Sequence, residues 1–199
     1  MKQELKQITV SRESLGEYET RLGIVAQQTA RRLSSLFSQK DGLAILKVLK
    51  FEEVGNDPLT ANSPLNFIEQ LNQTLTYLAS IKASRHIFDS EGDVKTITMH
   101  LGSLQGSDLV MKNGSGKTLG LAEVFAAVDP KNNSKLKKDI KKVDADAKRA
   151  HVVIKRVYFI SPREKEFAIR DTDKMMKRSK EGELWTASRV LVKRLSLEV

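Results

Sequence analysis

Apolar positions along the chain recur at two periods, and the change from one to the other falls near residue 93. Leu15, Tyr18, Leu22, Val25 and Ala26, then Leu33 and Leu36, stand at helical spacing and predict a long amphipathic helix ending at Phe37. Ser11 is its candidate cap, with Glu13 and Ser14 in the first turn, and Gly23 interrupts it at modest cost. A shorter helix is predicted from Leu43 to Phe51, entered through Asp41-Gly42 and broken by Gly55-Asn56-Asp57-Pro58. A third starts at Ser63-Pro64, a cap residue followed by proline at the first helical position. Its stripe is Phe67, Ile68, Leu71, Leu75, Leu78 and Ile81. Met1 to Val10 follows neither period and reads as a frayed leader.

After the Ser90-Glu91-Gly92-Asp93 turn the pattern becomes that of strands. Thr96–Leu101, Asp108–Lys112 and Leu119–Val128 are short apolar runs bounded by turn residues. Asn113-Gly-Ser-Gly-Lys117 joins the second to the third as a hairpin, because Asn and Gly accept positive φ at little steric cost. Asp129-Pro130 ends the third run. Leu136, Ile140, Val143 and Ala147 then give one helical stripe between Ser134 and Lys148, and His151–Ile160, closed by Pro162, is a last strand. The predicted order is strand, strand, strand, helix, strand. Beyond Pro162, Arg163–Arg178 has a weak helical stripe, Ser179–Gly182 is a break, and Leu184–Val199 reads as a strand or a short helix. Trp185 is read as a packing anchor, with base stacking as the alternative.

The 199 residues fit one domain: a helical part over 1–62, a core over 63–160 and a basic extension over 161–199. No apolar run approaches a membrane span and the N-terminus lacks the apolar centre of a secretory signal, so a soluble, cytoplasmic protein is expected. Without cysteine there is no disulfide, thiol nucleophile or thiolate site. His86, His100 and His151 are scattered without ligand-like spacing, so zinc is not expected. The net charge of +9 is unevenly placed. Residues 1–130 carry 14 basic and 15 acidic side chains, residues 131–156 carry 10 and 3, and residues 157–199 carry 10 and 7. A positive field confined to the chain after Pro130 suits a phosphate-bearing partner as well as it suits a solvated helix face. Lys131, Lys135, Lys137, Lys138, Lys141 and Lys142 are the candidate nucleic-acid contacts.

Two acids stand beside that field. Asp108 opens the second strand and Glu123 lies within the third, and the hairpin between them can bring both carboxylates to one divalent cation. Mg²⁺ takes hard oxygen ligands, often only one or two carboxylates. The same residues are also explained as a turn aspartate and one half of an ion pair. Gly114-Ser-Gly-Lys-Thr118 is not a phosphate-binding P-loop, since Met111 falls where the first glycine belongs and a strand follows Thr118.

Asp108, the run Leu119-Gly-Leu-Ala-Glu-Val-Phe-Ala-Ala-Val128, the strand order and the preceding helix resemble the PD-(D/E)xK nuclease superfamily over Ser63–Ile160. The resemblance implies an α/β (α+β), restriction-endonuclease-like fold: a mixed sheet of about four strands flanked by helices. It implies Mg²⁺ held by Asp108 and Glu123, with Glu69 of the preceding helix as the available third acid. It further implies a lysine two residues after Glu123 that positions the attacking water. Here Ser107 stands for the motif proline and Phe125 for the lysine. Three readings follow: a migrated lysine, with Lys131, Lys135 and Lys138 the candidates; a metal site with another water-orienting group or none; or a fold that has lost catalysis. The expected function is a Mg²⁺-dependent endonuclease of restriction type acting on DNA rather than RNA, with a homodimer as the family-like assembly. The alternative is an inactive nuclease-fold protein that binds nucleic acid or a partner protein.

Overall fold

A computed structural model describes residues 7–39, 41–60, 63–101, 106–129, 134–162, 177–178, 183–186 and 188–196. The chain opens with strand β1 (Gln7–Val10), helix α1 (Leu15–Gln39) and helix α2 (Gly42–Phe51), which Asp41 caps by accepting from the Leu43 and Ala44 amides. A two-stranded ribbon of β2 (Glu53–Asn56) and β3 (Pro64–Asn66) leads into helix α3 (Phe67–Ser90). Then come β4 (Thr96–His100), β5 (Leu109–Lys112), β6 (Thr118–Ala126), α4 (Lys135–Arg149) and β7 (Ile154–Ile160). The C-terminal part adds β8 (Lys177–Arg178), β9 (Glu183–Trp185) and β10 (Leu191–Leu195).

One mixed sheet runs in the order β1-β4-β5-β6-β7-β10-β9-β8. The expected strand, strand, strand, helix, strand succession is its centre: β4, β5 and β6 are antiparallel neighbours, and β6 pairs parallel to β7 after α4. The sheet is wider than the four strands expected. Gln7–Val10 is an edge strand antiparallel to β4, where a frayed leader was anticipated, and β10 extends the sheet parallel to β7. Ile8 and Val10 pack in the core, which is the apolar signal that four residues are too few to reveal by period. The Arg163–Arg178 helix falls mainly on residues outside those described, apart from β8.

Helix α3 starts three residues later than Ser63-Pro64 implies. Pro64 belongs to β3, and Asn66 caps the helix by accepting from the Glu69 amide (2.9 Å) while the Glu69 carboxylate accepts from the Asn66 amide. Its predicted stripe is also displaced. Ile68 and Leu71 are exposed, whereas Ala79, Ser80, Ile81, Ala83, Ser84, Ile87 and Phe88 are buried, because the later turns lie between α1 and the sheet and need small residues on several sides. The Asn113–Lys117 hairpin closes as expected: Asn113 Oδ1 accepts from the Ser115 and Lys117 amides, and Gly116 takes φ +82. Trp185 packs as an anchor beneath the Arg156 guanidinium, 5.0 Å from its ring centroid.

The sheet separates two apolar layers by strand alternation. Met99, Leu109, Met111, Ala122 and Val124 face the side occupied by α1 and α3. Leu121, Phe125, Val157, Phe159 and Val192 face the other side with Leu136, Val143 and Ala147 of α4. Gly120 fixes how closely β6 and β7 approach: a Cβ there would lie 2.4 Å from Ile154 Cβ and 2.6 Å from Ile154 O. Gly23 of α1 has nothing within 4 Å of the same position. Gly120→Ala is expected to lower unfolding stability by about 3 kcal/mol, the upper end of ordinary overpacking costs. Gly23→Ala is expected to raise it by up to about 1 kcal/mol. Urea unfolding of the two variants checks both signs.

A carboxylate and lysine cluster beneath helix α4

Glu123 sits in the middle of β6 on the α4 side, between Leu121 and Phe125 on the same face, and is 1% exposed. The β5–β6 register pairs Leu109 with Ala122, so Asp108, one residue before β5, comes opposite Glu123 on that face. Asp108 Oδ2 accepts from the Val124 amide at 2.7 Å, occupying a ladder position that β5 is too short to fill. The hairpin therefore brings the two acids together as the sequence predicted.

The ammonium comes from α4. Lys142 Nζ lies 2.8 Å from Glu123 Oε2 and 2.7 Å from the Gly106 carbonyl. One turn earlier, Asp139 is buried and accepts from Lys135 Nζ at 2.8 Å, and that ammonium stands 5.5 Å from the Phe125 ring centroid. Phe125, two residues after Glu123, is a core residue stacked on Phe159 with ring centroids 5.6 Å apart. A lysine there would have to bury its charge between strand and helix, whereas Lys142 reaches in from the rim with its stem along α4.

Electrostatics bind these groups into one unit. Burial pushes the Glu123 carboxyl up to about 7, the Asp108 charge adds to this, and the hydrogen bond and charge of Lys142 pull the other way. Asp139 is raised as well, first by burial, against the opposing pull of Lys135. Partial burial alone would lower Lys142, but Glu123, with Asp108 and Asp146, outweighs it and keeps the ammonium above its ordinary range. Five buried side-chain atoms among the described residues lack a hydrogen-bond partner, and three of them belong to this face of the sheet and α4: Glu123 Oε1, Asp139 Oδ2 and His100 Nδ1. A buried polar atom left without a partner costs roughly 1–3 kcal/mol, so these are atoms that a bound water, ion or ligand would satisfy.

Other predicted site residues fall differently. Glu69 is exposed and closes the capping box of α3, so its local role is to start the helix. Lys131 lies outside the described residues. Lys135 reaches Asp139, not Glu123, while Lys137, Lys138 and Lys141 are exposed on α4 and have no ion-pair partner among the described residues. Farther along α4 the charge is internally matched, Lys148 with Asp144 and Arg149 with Asp146. The unpaired positive charge of α4 is therefore concentrated in its first half. Lys142 was expected only as a nucleic-acid contact and not as a partner of the acids, and Asp139 and His100 were not read from the sequence as site residues. The spacing of Asp139 and Lys142 against the buried Leu136, Val143 and Ala147 held the signal for the first two, since residues three and four apart share a helix face.

Comparison with protein-family models, curated proteins and solved structures finds no match for this chain.

The cluster's fit to a divalent cation follows from its donors. Glu123 Oε1 is buried and unpartnered beside a second carboxylate, which is hard-oxygen chemistry of the kind Mg²⁺ takes. Among the described residues no group of three or more His, Asp or Glu side chains is arranged to hold a metal, so a cation here would rest on Asp108 and Glu123, with water completing its shell.

A carboxyl whose native value lies above its ordinary 4.5 binds a proton more tightly folded than unfolded. Its stabilising contribution is complete below about pH 4.5 and is lost as pH rises toward 7, by up to about 3 kcal/mol. In metal-free buffer Glu123→Gln should therefore be more stable than the parent at pH 8, and the difference should vanish by pH 4.5. Urea midpoints across that range check the slope; an unchanged difference at the two ends would refute the burial assignment.

Proposed function

We propose that this chain is a metal-dependent endonuclease that hydrolyses phosphodiester bonds in DNA, with Asp108, Glu123 and Lys142 as its working groups. The carrying observation is the 2.8 Å contact of Lys142 with Glu123, which supplies from helix α4 the ammonium that Phe125 cannot provide. Support also comes from the order α3-β4-β5-β6-α4-β7 with a mixed sheet, the succession that resemblance to the PD-(D/E)xK nucleases implies.

In this reading Asp108 and Glu123 would hold Mg²⁺, whose chemistry is to acidify a bound water and neutralise phosphodiester charge. The chain's own residues do the rest. Asp108 keeps its carboxylate fixed through the Val124 amide, so little ordering remains to be done when substrate arrives. Lys142 holds a proton at Nζ and presents it at Glu123, where it can orient a water or meet a phosphate oxygen as charge develops. Lys137, Lys138 and Lys141 lie on the same helix and contribute the non-specific attraction that brings a polyanion to the acids.

Incubation of a plasmid and phage DNA panel with Mg²⁺ or Mn²⁺ tests the reading. Parent protein should cut, and Asp108→Asn, Glu123→Ala and Lys142→Met should each lose at least about a hundredfold in rate, the scale on which positioned charge acts. Lys138→Ala and Lys141→Ala should instead weaken DNA retardation modestly and each reduce the salt slope by about 1. Salt-sensitive retardation without cutting would establish the binding-only alternative, and the absence of both cutting and retardation would remove nucleic acid from consideration.

A further inference from the structure

His100 belongs to the same row as the acids. The β4–β5 register pairs Met99 with Leu109, and the His100 amide donates to the Asp108 carbonyl at 2.9 Å, so His100 stands opposite Asp108 as Asp108 stands opposite Glu123. Directly opposed residues share a face. Three adjacent strands thus carry His100, Asp108 and Glu123 in line on the α4 side, each step about 4.8 Å, the usual strand separation.

The imidazole is also tied to the lysine. A Cβ built on Gly106 would lie 3.5 Å from His100 Cε1 and 3.6 Å from Nδ1, and the carbonyl of that glycine accepts from Lys142 Nζ. Gly106 has φ +111, a conformation that side-chain-bearing residues rarely adopt. Imidazole and ammonium therefore both neighbour one glycine. His100 Nδ1 is buried without a hydrogen-bond partner, whereas His86, the ring on the opposite side of the sheet, has its Nδ1 2.9 Å from the Tyr158 hydroxyl.

We propose that His100 is a phosphate-binding residue of this site, its Nδ1–H donating to a non-bridging oxygen of the phosphodiester seated at Asp108 and Glu123. This rests on the nuclease reading and adds to it a contact to the substrate itself. A neutral imidazole suffices, so the contact fixes the phosphate without adding to the counterions released on binding.

The test uses the full chain and a fluorescein-labelled DNA duplex, with binding measured by anisotropy in EDTA and cleavage in Mg²⁺. The three variants differ in where they keep a donor: Asn places its amide nitrogen where the imidazole has Nδ1, Gln places its own nearer Nε2, and Leu has none. His100→Asn should bind within about threefold of the parent. His100→Gln and His100→Leu should bind about tenfold more weakly, with KM rising more than kcat falls and with an unchanged salt slope. Melting temperatures identify any variant that loses binding by unfolding, and the comparison then rests on the Asn and Gln pair. Equal binding by Asn and Gln, or a parent that cuts DNA while His100→Leu binds as tightly, overturns the assignment and leaves the nuclease reading intact. A parent that neither binds nor cuts the duplex overturns both.

Discussion

The site depends on the burial of a carboxylate in the centre of a sheet. Glu123 lies where the alternation of β6 calls for an apolar side chain, with Leu121 and Phe125 as its neighbours on the same face and Val157 opposite it on β7. Such a group is tolerated only when charge or hydrogen bonding compensates its lost hydration. Lys142 answers one of its oxygens and leaves the other bare. Lys142 is the group that compensates that charge, while the approach of Asp108, a like charge, works against it.

Two kinds of constraint hold the surroundings in register. On the sheet, Gly120 lets β6 pack directly against Ile154 of β7, and Asp108 serves as a surrogate strand residue by accepting from the Val124 amide. On the helix, Leu136, Val143 and Ala147 pack into the layer with Phe125 and Phe159, and this apolar contact sets how far Lys142 reaches. The basic surface of α4 is thereby aimed as well. Its C-terminal lysine and arginine pair with Asp144 and Asp146, which leaves the unpaired lysines in its first half, on the same helix as Lys142.

Much of this architecture was legible in the sequence. The succession from β4 to β7, the hairpin at Asn113–Lys117, the helix with Leu136 and Val143 inward, and the pairing of Asp108 with Glu123 all follow from local period and turn chemistry. What escaped was set by distant contacts. A four-residue edge strand such as Gln7–Val10 has no period to detect, and Pro64 was read as a helix start because the β2–β3 ribbon that claims it is a tertiary pairing. Lys142 was grouped with the surface lysines because only the crossover between β6 and β7 reveals which face of α4 meets Glu123. His100 was passed over for the same reason, its relation to Asp108 being one of strand register across residues that turn patterns do not count.

The acids and the lysine belong to different elements. The carboxylates are fixed by strand pairing, while the ammonium is delivered by a helix with one apolar stripe and an N-cap, Ser134, that makes no side-chain hydrogen bond. That helix is held by its packing, with Leu136, Asp139, Val143 and Ala147 buried against the sheet. A brief release of α4 would separate Lys142 from Glu123 while leaving the strand pairing of Asp108 and Glu123 in place. The completeness of the site therefore depends on how α4 packs, and its carboxylate pair on how the strands pair.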